Sequence, residues 1–199
     1  ARPAFKGYMG FPSTLCISID DAVVHGIPNS EVLKEGQIVG IDCGAELNGY
    51  YGDHARTFPV GKISDEKLDL MKITQASLYK AIEKAIPGNC VGDIGHAVQS
   101  YVEPYGYSVV RELVGHGIGE NLHEEPQIPN YGNPNAGYKL HAGMCIAIEP
   151  MINLGSKEIY TAKDGWTILT SDGRPSAHFE HTIAIKEDGP HILSKVSNG

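Results

Sequence analysis

Five side chains carry the chemical interest of this sequence: four acids and a histidine, each in a context that is otherwise apolar or glycine-rich. Asp42 lies in Val39-Gly40-Ile41-Asp42-Cys43-Gly44, and Asp53 in Gly52-Asp53-His54-Ala55-Arg56-Thr57. Glu149 ends the apolar run Cys145-Ile146-Ala147-Ile148 just before Pro150, and Glu180 interrupts Ala177 to Ile185. His116 sits among glycines in Gly115-His116-Gly117-Ile118-Gly119, where the backbone can come close to a site. An acid in an apolar strand says more than one in a polar loop, because carboxylates are almost never buried without a partner. If Asn48-Gly49 forms a two-residue hairpin turn, Asp53 faces Gly44. Asp42 then lies two residues from that partner on the same face, and such diagonal neighbours are ~7–8 Å apart, within reach of a shared ion. Arg56 is close in sequence but of opposite parity, so it points to the other face. The Asp42–Asp53 pair alone fits a metal site and a solvated acidic face equally well. Any single acid here is more simply a carboxyl paired with Lys, Arg or a backbone amide. Four acids and a histidine together favour a metal.

The elements that must hold these residues are mostly strands. Residues 15–19, 37–43, 50–60, 108–110, 144–149 and 177–185 read as strands, the second and third joined by the Asn48-Gly49 hairpin. Residues 65–86 carry Met71, Leu78, Ile82 and Ala85 on one helical face and stop at Pro87-Gly88. A second helix is predicted over 91–105, with Ile94, Ala97, Val98, Tyr101, Val102 and Tyr105 at helical spacing. Hairpins separated by a helix pair imply a largely antiparallel α+β domain, without the βαβ alternation of a doubly wound sheet.

A chain of 199 residues, 41% hydrophobic, can bury one core, so residues 1–199 are expected to form a single domain. The formal charge of −8 disfavours broad nucleic-acid or anionic-membrane binding, and no apolar stretch reaches the ~20 residues of a membrane helix. Cys16, Cys43, Cys90 and Cys145 form no C-x-x-C pair, which fits reduced thiols and a cytoplasmic location.

In sequence order, Val24-His25-Gly26-Ile27-Pro28, Ile41-Asp42 to Thr57-Phe58 and Gly115-His116-Gly117-Ile118-Gly119 resemble the type I methionine aminopeptidases of metallopeptidase family M24. So do His123-Glu124-Glu125-Pro126-Gln127-Ile128-Pro129-Asn130-Tyr131, Ile148-Glu149-Pro150-Met151, Lys163-Asp164-Gly165-Trp166-Thr167 and Phe179-Glu180-His181-Thr182. The resemblance runs from about Gly7 to Ile192. It implies the pita-bread fold, a mixed and mostly antiparallel sheet with outer helices and an internal pseudo-twofold. It also implies removal of the N-terminal methionine from peptides and nascent proteins, by a monomer that can work beside the ribosome.

The resemblance makes Asp42, Asp53, His116, Glu149 and Glu180 the ligands of two divalent ions, Asp53 and Glu180 being shared between them. Four carboxylates and one imidazole make a hard, oxygen-rich set that suits Mn, Fe or Co, with Zn admissible. The implied reaction is attack on the first peptide bond by water activated between the ions. Glu149 would carry a proton to the leaving amine, and His25 and His123 would hydrogen-bond the scissile amide and the developing oxyanion. Tyr8, Phe11, Cys16, Leu122 and Trp166 fall where the family lines its methionine pocket. The family also places a monovalent cation near the backbones of Asp20, Ala22 and Ser176.

The sequence departs from the family at Leu122, where an aromatic residue is frequent, at Leu113, and at His178, more often glutamine. Two residues from Glu180, His178 can face the metals as a partner of a ligand. The family's N-terminal helical segment and first strand have no counterpart before Ala1, so part of the cleft wall is expected to be missing here or supplied by a second chain or a further segment. His54, His96, His141, His181 and His191 have no partner pattern and read as structural or surface histidines. Prolidases and aminopeptidases P share this fold and ligand set, and a non-catalytic binding module on it is the remaining alternative.

Overall fold

The structure is a computed structural model and describes residues 1–195. Every strand pairing among them is antiparallel. A five-stranded sheet runs in the spatial order Glu124–Ile128, Gly115–Gly117, Cys145–Ile148, His181–Lys186, Gly189–Ile192. Smaller three-stranded sheets surround it, among them Cys16–Ile19, Ile38–Asp42, Ala55–Pro59 and Ser176–His178, Met151–Asn153, Ser108–Val109.

Helix α1 (Asp65–Ile82) begins where the Ser64 side chain accepts from Lys67 N–H, with Asp65 and Glu66 in the first turn and Lys80 in the last. That arrangement satisfies an orphan donor and suits the helix dipole. Helix α2 (Val91–Val102) opens on a carboxylate cap, Asp93 accepting from Cys90 N–H at 2.7 Å. The two helices pack on each other and send Leu70, Leu78, Ile94, Val98 and Val102 into one core with Ile146, Ile148, Ile152, Ile183 and Ile185. Both helices end earlier than their apolar spacing predicts. Ala85 stays in the core beyond the last turn of α1, whereas residues Glu103–Tyr105 tighten into a 3₁₀ turn carrying Pro104, leaving Tyr105 exposed. No helix among the described residues is long and apolar enough to cross a membrane.

The predicted hairpin register holds: Leu47 pairs with Tyr50, Glu46 with Tyr51 and Ala45 with Gly52, with Asn48 and Gly49 both at positive φ. The strands predicted over 50–60 and 177–185 are each two strands. The first breaks at Asp53-His54 and the second at Phe179-Glu180, each passing from one sheet to another.

Candidate metal centre and adjoining cavity

Each acid lies where a strand ends or changes sheet. Asp42 closes the Ile38–Asp42 strand, Asp53 and Glu180 occupy the two breaks, and Glu149 lies between Cys145–Ile148 and Met151–Asn153. At such points a backbone amide has no ladder partner and must find another. Glu180 N–H donates to the Ala55 carbonyl at 2.9 Å. The Thr182 hydroxyl accepts from Asp53 N–H at 2.9 Å and donates to the Asp53 carbonyl at 2.8 Å. Thr57 does the same for His178, accepting from its N–H at 3.0 Å and donating to its carbonyl at 2.9 Å. Buried Asn130 donates to the Glu149 carbonyl at 3.0 Å. These three side chains hold the backbone around the acid cluster; only their places in the matched motifs could have singled them out.

His116 reaches the same site because its flanking residues have no side chains. A Cβ on Gly115 would sit 2.3 Å from the Ala147 carbonyl oxygen, and one on Gly117 2.3 Å from that of Glu125. The strands therefore close tightly around the imidazole.

Ligand atoms of Asp53, His116 and Glu180 lie within 4.8 Å of one another, all buried. Glu149 joins them, its Oε1 3.6 Å from His116 Nε2. Asp42 completes the set, with its Oδ1 sealed from solvent and without a hydrogen-bond partner. Among the described residues no lysine or arginine forms an ion pair with any of these four carboxylates. Burial, and next the neighbouring acids, push Asp42 and Glu180 well above the usual carboxylate range. Burial first, then the Glu149 charge, raises Asp53 to about 7, and burial raises Glu149 to about 7. Two buried acids, Asp53 and Glu180, and two half-buried ones, Asp42 and Glu149, with an orphaned oxygen and no lysine or arginine partner form an anionic site lacking its counter-charge. Two divalent cations match four carboxylates charge for charge, so the residues present fit such ions.

One cavity of ≈ 170 Å³ joins this cluster to an apolar slot. The structure brings every residue proposed for the site to its wall: Asp42, Asp53, His116, Glu149 and Glu180 on the polar side, with His25 and His123. Tyr8, Phe11, Cys16, Leu122 and Trp166 line the apolar side, to which Phe5 and Met9 add surfaces the sequence reading did not name. Phe11 meets the Trp166 ring edge-on at 5.2 Å, and Leu122 is 2% exposed. Trp166 is aimed by a turn in which Asp164 Oδ1 accepts from both Trp166 and Thr167 N–H at 2.9 Å. His25 has a positive φ of 59°, a strained conformation for a bulky residue, beside a glycine whose Cβ would strike the Ile17 carbonyl oxygen. Burial and the nearby His178 lower the His25 pKa to about 4. His123 pairs through Nδ1 with the Tyr8 hydroxyl at 2.8 Å and packs against the His116 ring at 4.3 Å.

His178 is 4% exposed and faces Glu149, Nε2 to Oε2 3.6 Å, with Nε2 otherwise unpartnered. Burial holds its pKa at about 3, so the ring is neutral. Beside Asp20, where a monovalent cation was expected, the Lys67 ammonium donates to Asp20 Oδ1 at 2.5 Å and to the Gly36 carbonyl at 2.8 Å. The Asp20 carbonyl accepts from Ser176 N–H. His54 and His181, read from sequence as unpartnered, stack at 4.7 Å on the reverse side of the strand breaks. His96, His141 and His191 lie away from the cavity walls.

A cleft of buried and half-buried acids with an imidazole, joined to an apolar slot, defines a metal-dependent hydrolytic site. The model of metallopeptidase family M24 matches residues 3–187. The chain belongs to that family, among its methionine aminopeptidases. It is 56% identical to methionine aminopeptidase 1 of Bacillus subtilis over 98% of this chain and 79% of that protein. The crystal structure of the Thermotoga maritima methionine aminopeptidase superposes with a TM-score of 0.96 at 48% identity, over 98% of this chain and 79% of that one. The prolidase of Pyrococcus horikoshii shares the fold more distantly, with a TM-score of 0.73 and 26% identity over 92% of this chain and 48% of that one. The architecture is thus the pita-bread fold.

Proposed function

We propose that this chain removes the N-terminal methionine from peptides and nascent proteins. The observation that carries the reading is the continuity of the acid cluster with an apolar slot lined by Cys16, Phe11, Leu122 and Trp166. A first side chain in the slot presents its own amide to the cluster. Such a slot, with sulfur and aromatic edges, suits a flexible thioether.

In this reading Asp42, Asp53, His116, Glu149 and Glu180 hold two divalent ions, and the oxygen-rich donors favour Mn, Fe or Co, with Zn admissible. Bound there, such ions supply Lewis acidity that lowers the pKa of water and polarises a carbonyl. His25 is neutral at working pH and donates to the substrate without adding charge beside its free amine. In the tautomer in which the Tyr8 hydroxyl donates to Nδ1, the neutral His123 ring carries its proton on Nε2 and can hydrogen-bond the developing oxyanion. Glu149, flanked by His116 and His178, carries the proton to the leaving amine. Four free cysteines accord with the reducing cytoplasm, where chains leaving the ribosome are the natural substrates of a monomeric enzyme.

The test is methionine release from Met-Ala-Ser by metal-stripped protein with Mn²⁺ or Co²⁺ restored, beside Asp53→Ala and an Xaa-Pro peptide. Release that needs metal, vanishes in the variant and spares the proline peptide is the expected result. Preferential cleavage of the Xaa-Pro peptide would turn the reading towards a prolidase. Absence of both activities and of metal binding would leave a binding module.

A further inference from the structure

Behind the strand breaks lies a second cavity of ≈ 200 Å³, separated from the first by the backbone of Asp53-His54 and Glu180-His181. Strand alternation explains its lining. Asp53, Ala55 and Thr57 turn inward and are buried, so His54 and Arg56 turn outward, and His181 is thrown to the side opposite Glu180. The wall combines these three residues with Lys195, Gln75, Tyr79 and Ser194.

The two imidazoles stack with an interplanar angle of 16°, and each is fixed through its Nδ1. His54 Nδ1 donates to the Glu180 carbonyl, and His181 Nδ1 pairs with the Ser194 hydroxyl at 2.8 Å. Parallel rings send their nitrogen lone pairs in parallel directions, which is poor geometry for converging on one metal ion. The charges decide against a cation as well. Arg56 and Lys195 both bear on the His181 ring, and neither forms an ion pair with a carboxylate among the described residues. Among the described residues the only acid at the wall is Glu180, whose carboxylate belongs to the acid cluster on the other side. Two cations and the Gln75 carboxamide around a small hollow are donors that suit an oxyanion, and a guanidinium matches such an anion with two parallel hydrogen bonds.

We propose that this cavity binds a small tetrahedral dianion, of the phosphate or sulfate type, between the Arg56 guanidinium and the Lys195 ammonium. The same wall includes His54 and His181, one peptide bond from Asp53 and Glu180, so an occupant lies against the two strand breaks that carry those acids.

Sulfate is the probe, because it remains dianionic across the working pH range and complexes divalent metals weakly. It is titrated calorimetrically into the metal-loaded protein at constant ionic strength, since sulfate also stabilises proteins by exclusion from their surfaces. Parent protein is compared with Arg56→Gln, Lys195→Gln, the double variant, and Lys157→Gln as an exposed control. Arg56 and Lys195 are exposed and can be replaced without opening the core. The expected result is saturable binding, weakened at least tenfold in the double variant and unchanged in Lys157→Gln. Crystals grown with selenate should show an anomalous peak within hydrogen-bond distance of Arg56. Absence of saturable binding, or binding that the double variant leaves intact, overturns the proposal.

Discussion

Replacing Asp53 by Asn should make the metal-free protein more stable and the metal-loaded protein less so. Burial and Glu149 raise the Asp53 pKa from its ordinary 3.8 to about 7, so ionising it in the folded state without metal is costly. The sign follows from linkage. Below pH 4 the carboxyl is protonated both folded and unfolded, and no penalty exists. Between pH 4 and pH 7 the unfolded chain gives up this proton while the folded chain keeps it, so stability falls across that window and levels off above it. Three pH units at about 1.4 kcal/mol each give a ceiling of about 4 kcal/mol, shared with the other acids. In a chain of 199 residues that ceiling corresponds to roughly 8–16 °C of melting temperature. Asn retains the acceptor for His54 N–H, which Asp53 Oδ1 meets at 3.0 Å, so the substitution removes charge with little change of shape. Melting curves of the chelated proteins should coincide near pH 4 and diverge to pH 8, with the variant higher. Saturating metal should reverse the order at pH 8, because a ligand held at a thousand times its Kd adds about 4 kcal/mol to the parent. A chelated variant that melts below the parent at pH 8 would refute the account of an uncompensated acid cluster.

Three further outcomes test other parts of the structure. Leu122→Ala should cost about 2–4 kcal/mol of stability by opening a cavity, and should raise KM for Met-Ala-Ser about tenfold with less change in kcat; an unchanged KM would remove Leu122 from the substrate slot. His178→Ala should weaken metal binding at least tenfold by calorimetry, as loss of a ligand's partner does, whereas His178→Gln keeps a donor to Glu149 and should stay within about threefold of the parent; equal losses in both would contradict a hydrogen-bonding role. Gly117→Ala places a Cβ 2.3 Å from the Glu125 carbonyl and should lower the melting temperature and abolish metal binding together; a variant as stable as the parent would mean the strands can part without disturbing His116.

Local signals carried much of this architecture. Asn48-Gly49 set the hairpin register because a two-residue turn with both residues at positive φ fits the twist of its strands. The same register brings Asp42 and Asp53 into one cluster, and strand parity sends Arg56 away from it. Other features were invisible to periodicity. The runs over 50–60 and 177–185 look continuous because apolar spacing does not record which sheet a strand joins, whereas each changes sheets at its acid. The clamps from Thr57 and Thr182 span more than a hundred residues of sequence, as does the His54–His181 stack. Contacts of that range follow from the sheet-to-sheet arrangement and have no local signature.

The strand breaks themselves explain why this fold can hold such a site. A carboxylate within a continuous strand shares its backbone with ladder neighbours on both sides, and its direction is fixed by the pleat. At a break, the chain is free to turn the side chain toward a point between sheets. The peptide groups released there must then be satisfied by other groups: the N–H groups of Asp53, Glu180 and His178 by Thr182, the Ala55 carbonyl and Thr57, and the Glu149 carbonyl by Asn130. Convergence of four acids is therefore achieved with backbone hydrogen bonds that tie one break to the other. Asp53, Glu149 and Glu180 would each have to break one of these hydrogen bonds in order to move apart from the other acids. The electrostatic strain is thereby stored in the folded protein and is available to drive cation binding, which is why neutralising one acid should stabilise the empty protein while weakening its grip on metal.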